Sequence, residues 1–306
     1  MSNQKEMNTK MEKLLLIYNP NSGTRKSARH LSEVTEIFTA GGYMVTAMPT
    51  MARGDATEYV KRFGKDYNFV AVMGGDGTYN EVVSGYIESG LKTPIGYIPA
   101  GSTNDFAQGL KLARNILDAA EDIVRGTPAG IDVGTFNGRT FTYVASFGAF
   151  TKASYDTPQN IKNALGHFAY ILSGASSIPD IRPIHAIIKT DDATYEGDYL
   201  FGAISNSTSM GGILKLKPED VDMSDGLFEL LLLRTSTDVL EISDLVRAVT
   251  EQRYDSTPMI TFVTSSRFEI EIPEAVDWSL DGEYQKGTQH ILIENLPCAV
   301  NLIRHL

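Results

Sequence analysis

The chain has 306 residues, 42% of them hydrophobic and 21% charged, which is enough to bury sizeable cores in two domains. A formal net charge of −11 excludes a protein that holds nucleic acid, or an anionic membrane, by bulk charge. The one cysteine, Cys298, excludes an intrachain disulfide and favours a reducing compartment.

The first elements alternate. Lys13 to Tyr18 is a short apolar run ending in the turn-rich Asn19-Pro20-Asn21-Ser22-Gly23. Ala28, Leu31, Val34, Ile37 and Phe38 recur at helical spacing, and Gly41-Gly42 closes that helix. A strand over Tyr43 to Met48, a helix over Asp55 to Phe63 and a strand over Asn68 to Met73 follow. The last of these runs into Gly74-Gly75-Asp76-Gly77-Thr78. Val82, Val83, Tyr86 and Ile87 make a helical face, Pro94 to Ile98 a fourth strand, and two more helical stretches reach Arg125. Alternation of this kind predicts a parallel sheet with helices on both faces, an α/β domain over 11–128.

The pattern changes at Gly126-Thr127-Pro128. Ile131 to Phe136 and Thr140 to Phe147 flank Asn137-Gly138, a strong hairpin signal. Strand-like runs continue over Ile184 to Lys189, Thr194 to Ser205, Leu227 to Leu233, Met259 to Val263, Arg267 to Ile272, His290 to Glu294 and Ala299 to Ile303. Helical interludes fall near 160–173 and 238–250. This half predicts an antiparallel β-sandwich over 129–306, with the extreme C-terminus free to rejoin the first domain. No apolar run approaches the roughly 20 residues that span a bilayer. The polar segment 1–10 lacks the apolar core of a signal peptide, so a cytoplasmic protein is expected, with peripheral lipid contact at most.

Three unusual loops follow the first, third and fourth strands. In an open parallel sheet such loops emerge along one edge, where these folds bind ligands. In Gly74 to Thr78, glycines permit positive φ and close approach to a bulky anion, and the following helix favours phosphate at its N-terminus. Asp76 conflicts with phosphate unless a divalent cation lies between them; otherwise it is a helix cap. Pro99-Ala100-Gly101-Ser102-Thr103-Asn104-Asp105-Phe106 reads as a second anion cradle, or as a helix start capped by Thr103 or Asn104. The Walker A pattern and the third glycine of the dinucleotide fingerprint are both missing. So are a Gly-x-Ser-x-Gly elbow and a His-Glu-x-x-His zinc site.

Taken together, Asn-Pro-Asn-Ser-Gly, Gly-Gly-Asp-Gly-Thr and Pro-Ala-Gly-Ser-Thr-Asn-Asp-Phe-Ala, in this order, resemble the diacylglycerol kinase catalytic domain family and its soluble bacterial lipid kinases. Ser224-Asp225-Gly226 and Leu280-Asp281-Gly282-Glu283 extend the resemblance over nearly the whole chain. It implies an ATP-dependent lipid kinase using Mg²⁺. Asn19, Pro20, Asn21, Ser22, Gly23, Thr50, Gly75, Asp76, Gly77, Thr78, Tyr79, Asn80, Glu81 and Ser102 would contact ATP. Asp76 would act through Mg²⁺, with Asp105 and Asp132 near that network, and Glu283 would be the general base. A second, structural Mg²⁺ would be held by Asp225 and by main-chain carbonyls near Asp222 and Leu227. Ser102 stands where many relatives carry threonine, which keeps the hydroxyl; Leu227 stands where an aromatic is frequent. On residue physics alone, Asp281-Gly282 reads as a hairpin turn and Glu283 as a surface residue.

The expected partners are ATP, a lipid alcohol and the inner membrane face, without nucleic acid; a homodimer is left open. One alternative is an NAD kinase-like enzyme, which also carries Gly-Gly-Asp-Gly-Thr. Another is a catalytically silent nucleotide- or lipid-binding regulator, against which an intact Asp76 and Glu283 argue.

Overall fold

Alternation in the first half resolves into four parallel strands. β1 (Glu12–Tyr18) pairs with β2 (Tyr43–Pro49) on one side and β3 (Phe69–Gly74) on the other, and β3 pairs with β4 (Ile95–Pro99). Every residue of β3 and β4 is buried, as a parallel sheet covered on both faces requires. At the edge, β2 is half-exposed. Leu14, Leu16, Phe69, Ala71 and Ile98 pack against Val34, Phe38, Ala119, Ala120 and Ile123. These last come from α2 (Leu31–Ala40) and α6 (Ile116–Arg125). The other helices of this part are α1 (Ser22–Arg29), α3 (Asp55–Phe63) and α4 (Asp76–Ser89); the short α5 (Asp105–Gly109), between β4 and α6 in the chain, belongs to the second unit. The single helix expected over 28–38 is split at His30 between α1 and α2. The first turn of α1 is left-handed at Gly23, Thr24 and Arg25, with φ of 53°, 59° and 67°.

This computed structural model describes residues 11–149, 182–210, 214–236 and 238–305. The chain forms two units, the first comprising Met1–Ser102, Leu112–Ala129 and Asn301–Leu306, the second Thr103–Lys111 and Gly130–Val300. The helix expected over 160–173 lies outside the described residues.

The second unit is an antiparallel β-sandwich. Its strands are β5 (Thr127–Phe136), β6 (Arg139–Phe141), β7 (Val144–Gly148), β8 (Ile184–Lys189), β9 (Thr194–Ser205), the short β10 (Ser209–Met210) and β11 (Leu214–Lys215), and β12 (Phe228–Arg234). After α7 (Val239–Thr250) come β13 (Ile260–Ser265), β14 (Arg267–Glu271), β15 (Asp277–Leu280), β16 (Glu283–Lys286) and β17 (His290–Arg304). β9 pairs with β7, β8 and β12, while β15 joins β7 to β16. Alternate residues Phe228, Leu230 and Leu232 of β12 enter a core with Phe141, Phe147, Phe268 and Trp278. The Trp278 ring lies 4.8 Å from Phe147 and 5.1 Å from Phe136.

Two strands expected near the C-terminus are one, β17. Pro297 has no N–H to pair, and Cys298 takes φ of 46°, so the alternation breaks while the strand continues. Its first half pairs with β14; further on, Leu302 pairs in parallel with Ile95 of β4.

Candidate active site

In the first unit the strand order is β2, β1, β3, β4, so the direction of growth reverses between β1 and β3. Loops leaving the carboxyl ends of two such neighbours diverge and open a crevice. Those loops are 19–21 after β1 and 74–75 after β3, and hydrogen bonds join them. The Asn19 amide N–H donates to the Met73 carbonyl at 3.0 Å, and Asn19 Nδ2 donates to Thr78 Oγ1 at 3.4 Å. Asn19 Oδ1 in turn accepts from the Asn21 N–H at 2.9 Å, which fixes the turn containing Pro20. A Cβ on Gly23 would strike the Ala100 carbonyl, and one on Gly75 would come within 3.3 Å of Gly101 Cα. The third loop, up to the exposed Ser102, therefore lies against the other two.

The glycine loop works by close approach and not by left-handed backbone. Gly75 has φ of −87°, and a Cβ on Gly74 would lie 2.7 Å from that of Thr78. Gly75 is the N-cap of α4 and, having no side chain, supplies no cap hydrogen bond to the first-turn N–H groups. Backbone donors of this kind, free of Cβ atoms on their approach, fit a phosphate group. Asp76 opens the helix, and Tyr97 donates its hydroxyl to Asp76 Oδ1 at 3.2 Å. The Tyr97 ring stacks on buried Tyr79, 4.5 Å between centroids. A carboxylate held at this helix start would suit a hard divalent cation.

Other expected nucleotide residues are partly engaged in structure. Thr50, buried at the end of β2, donates its N–H to the Tyr18 carbonyl at 2.9 Å. Asn80 Oδ1 accepts from Ser84 Oγ at 3.3 Å. The Glu81 carboxylate accepts from the N–H groups of Gly54 and Ala56 at 2.9 and 3.3 Å, which caps α3. Ser22 donates its N–H to the Asn19 carbonyl at 3.2 Å.

Glu283 belongs to the second unit. Leu280 pairs with Glu283 across a two-residue hairpin, and Asp281 and Gly282 have φ of 51° and 80°. Positive φ at both positions is the turn that matches strand twist, and Asp-Gly supplies it at low steric cost. The Asp281 carboxylate is buried. It accepts from the N–H groups of Thr142, Tyr143 and Val144 at 2.6, 2.9 and 3.0 Å, and from Thr142 Oγ1 at 2.8 Å. Burial pushes its carboxyl up, and those four hydrogen bonds pull it back only in part. Beyond the turn, Arg139 Nη2 donates to Glu283 Oε2 at 3.0 Å.

The loop before β12 holds the expected metal residues. Asp222 Oδ1 accepts from the N–H and hydroxyl of Ser224, and Asp225 Oδ1 accepts from the Leu227 N–H. Buried Asp132 ties the loop down: its carboxylate accepts from the N–H of Gly226 at 2.7 Å, the N–H of Cys298 at 2.7 Å and Asn295 Nδ2 at 3.2 Å. Glu229, two residues past Leu227, is only 2% exposed, and its Oε2 has no hydrogen-bond partner. Burial raises that carboxyl to about 8, and Asp225, Asp220 and Asp222 add repulsion. Among the described residues no three His, Cys, Asp or Glu side chains group to hold a metal. The structural Mg²⁺ that the resemblance implies would find Asp225 as a side-chain ligand in this loop, with main-chain carbonyls near Asp222 and Leu227 as the others. Asp105 opens α5 in the same unit, and burial pushes its carboxyl up.

Sequence reasoning missed Tyr97 and Arg139. Tyr97 looked like one more apolar residue of a buried strand, and the 144 positions between Arg139 and Glu283 hide their pairing.

Comparison with known proteins places these features in one family. The family model of the diacylglycerol kinase catalytic domain matches residues 13–136. That of the YegS C-terminal NAD kinase beta sandwich-like domain matches residues 144–304. The diacylglycerol kinase of Bacillus subtilis (strain 168) is 33% identical over 279 residues, 90% of each chain. Its counterpart in Staphylococcus carnosus (strain TM300) is 33% identical over 270 residues, 88% of each. A solved Bacillus anthracis str. Sterne chain superposes with a TM-score of 0.79 at 26% identity, covering 99% of this chain and 98% of that one. With both its α/β unit and its sandwich matched, the chain belongs to the diacylglycerol kinase catalytic domain family and is a lipid kinase of that family.

Proposed function

We propose that this protein transfers the γ-phosphate of ATP to the hydroxyl of diacylglycerol or a closely related lipid alcohol. The observation that carries this reading is the crevice between β1 and β3, where three glycine-bearing loops pack together beside the glycine-capped N-terminus of α4. Their backbone donors cradle phosphate oxygens. Asn19 to Gly23, Thr50, Gly75 to Asn80 and Ser102 line the nucleotide site, and Glu81 supports it by capping α3. Asp76, held by Tyr97, is the residue that faces the metal. Mg²⁺, when bound, neutralises phosphate charge as it develops.

A lipid alcohol is a poor nucleophile at neutral pH, so its proton must leave as the new bond forms. Glu283 accepts that proton as the hydroxyl oxygen attacks the γ-phosphorus and the bond to ADP breaks. Glu283→Gln keeps the size of the side chain and removes its basicity. The expected result is a loss in kcat on the order of 10² or more with ATP affinity little changed. Lost ATP binding with kcat intact would move Glu283 into the nucleotide site.

The name of the Bacillus subtilis relative favours diacylglycerol as acceptor. We further infer a cytoplasmic protein that meets the membrane only peripherally, since a net charge of −11 gives it no general attraction to anionic lipid. The decisive experiment incubates the protein with Mg²⁺, radiolabelled ATP and a panel of detergent-dispersed lipid alcohols, with NAD as a further acceptor. Label in the organic phase with diacylglycerol supports the reading. Label confined to a water-soluble product favours an NAD kinase-like reaction, and no turnover on any acceptor favours a silent regulator.

A further inference from the structure

We propose that Arg139 is the positioning residue for Glu283, holding its carboxylate in the one orientation from which it can take the acceptor proton. The proposal rests on Glu283 being the general base. Arg139 opens β6 directly after the Asn137-Gly138 turn, and Glu283 opens β16 directly after the Asp281-Gly282 turn. The guanidinium spans two residues of β16: Nη2 donates to Glu283 Oε2 at 3.0 Å and Nη1 to Gln285 Oε1 at 2.6 Å. Glu283 and Gln285 are two apart on a strand and so share a face. A planar, pre-organised fork is what can hold both at once; a lysine ammonium would engage them only as a point charge.

Two observations bear on what this pair does. First, the backbone beneath Glu283 is already fixed, because Asp281, two residues earlier, is pinned by four hydrogen bonds to residues 142–144. Both anchors, Asp281 and Glu283, reach the same stretch, 139–144, so the base is clamped through main chain and side chain at once. Second, the Arg139 and Glu283 side chains are 38% and 36% exposed. Pairs at such exposure contribute little to stability, so orientation explains this one better than folding energy does.

The test is a double-mutant cycle on the full chain, with kcat and KM measured for ATP and for detergent-dispersed diacylglycerol. Arg139→Met keeps the length of the stem and removes the fork. It is expected to lower kcat about tenfold to a hundredfold while the KM for ATP stays within about threefold, because misplacing a reacting group by about 1 Å can cost 10²-fold. Arg139→Lys should recover part of that loss. In the Glu283→Gln background, Arg139→Met should cost nothing further, since its effect passes through Glu283. An unchanged kcat in Arg139→Met, with Glu283→Gln inactive, would overturn the proposal and leave the base assignment standing. So would a loss that adds fully to that of Glu283→Gln, or a raised KM for ATP at normal kcat. A Glu283→Gln enzyme near wild type would remove the base assignment, and the proposal with it. Thermal unfolding of each variant guards against loss of fold, and Arg139→Lys carries the test if Arg139→Met does not fold.

Discussion

Asp76 is the residue whose chemistry conflicts most with its proposed place: a carboxylate at the start of a helix whose first N–H groups are proposed to meet phosphate. Tyr97 occupies one of its oxygens, and the stack of Tyr97 on Tyr79 keeps that hydroxyl in place. If Asp76 bears on the metal, Asp76→Asn should leave thermal unfolding nearly unchanged while activity falls on the order of 10²-fold, the typical cost of one lost electrostatic stabiliser. An enzyme with near-normal kcat would show that Asp76 is only a cap. Asp76 was legible in the sequence because its meaning is local, a charge within a glycine loop. Tyr97, 21 positions away, was not, because a tyrosine in a buried strand has the pattern of any core residue.

At the scale of elements, Asp281-Gly282 shows how a correct local reading can still understate its object. The dipeptide signals a tight turn, and both residues do take positive φ. The signal says nothing of the Asp281 carboxylate, which serves as the acceptor for three consecutive N–H groups of the chain 137 to 139 positions earlier. Asp281→Ala would leave those donors buried and unpaired. We expect a loss of about 2 kcal/mol or more in urea unfolding, with a fall in kcat as the hairpin loosens. A stability within about 0.5 kcal/mol of wild type would show that water replaces the carboxylate. The glycine loop was legible in position but not in mechanism: it was read partly for positive φ, whereas Gly75 has φ of −87° and the need is for room beside Thr78 and Gly101. β17 was read as two strands because Pro297 and Cys298 interrupt the alternation that marks a strand, although the chain continues through them.

For the molecule as a whole, composition and periodicity were sufficient for the fold class, since α/β alternation and β-rich spacing are repeated signals that survive local errors. They left the extreme C-terminus free to rejoin the first unit but gave no sign that Thr103–Lys111 belongs to the second, because that depends on contacts between distant parts of the chain. The acidic loop of 220–229 offers a global readout. Mg²⁺ at a hundredfold excess over its dissociation constant should stabilise the fold by about 2.7 kcal/mol, seen as a rise in melting temperature. Chelation should reverse that rise and Asp225→Ala should abolish it. A wild-type melting temperature indifferent to Mg²⁺ would remove the structural metal from the reading.

β17 gives the first unit a dependence on time. Its sheet uses Leu302, wholly buried and paired with Ile95, and Asn301, whose side chain donates to the Lys92 carbonyl. A ribosome delivers these residues only after the whole second unit has been made. Until then the β4 edge at Ile95 lacks its neighbour, and an unpaired apolar edge is a template for wrong partners. The nascent first unit must therefore wait, incompletely closed, through the synthesis of some two hundred residues, counted from Ile95 to Leu302. During that interval, a chaperone that covers strand edges would protect this chain more than one whose first unit closes early.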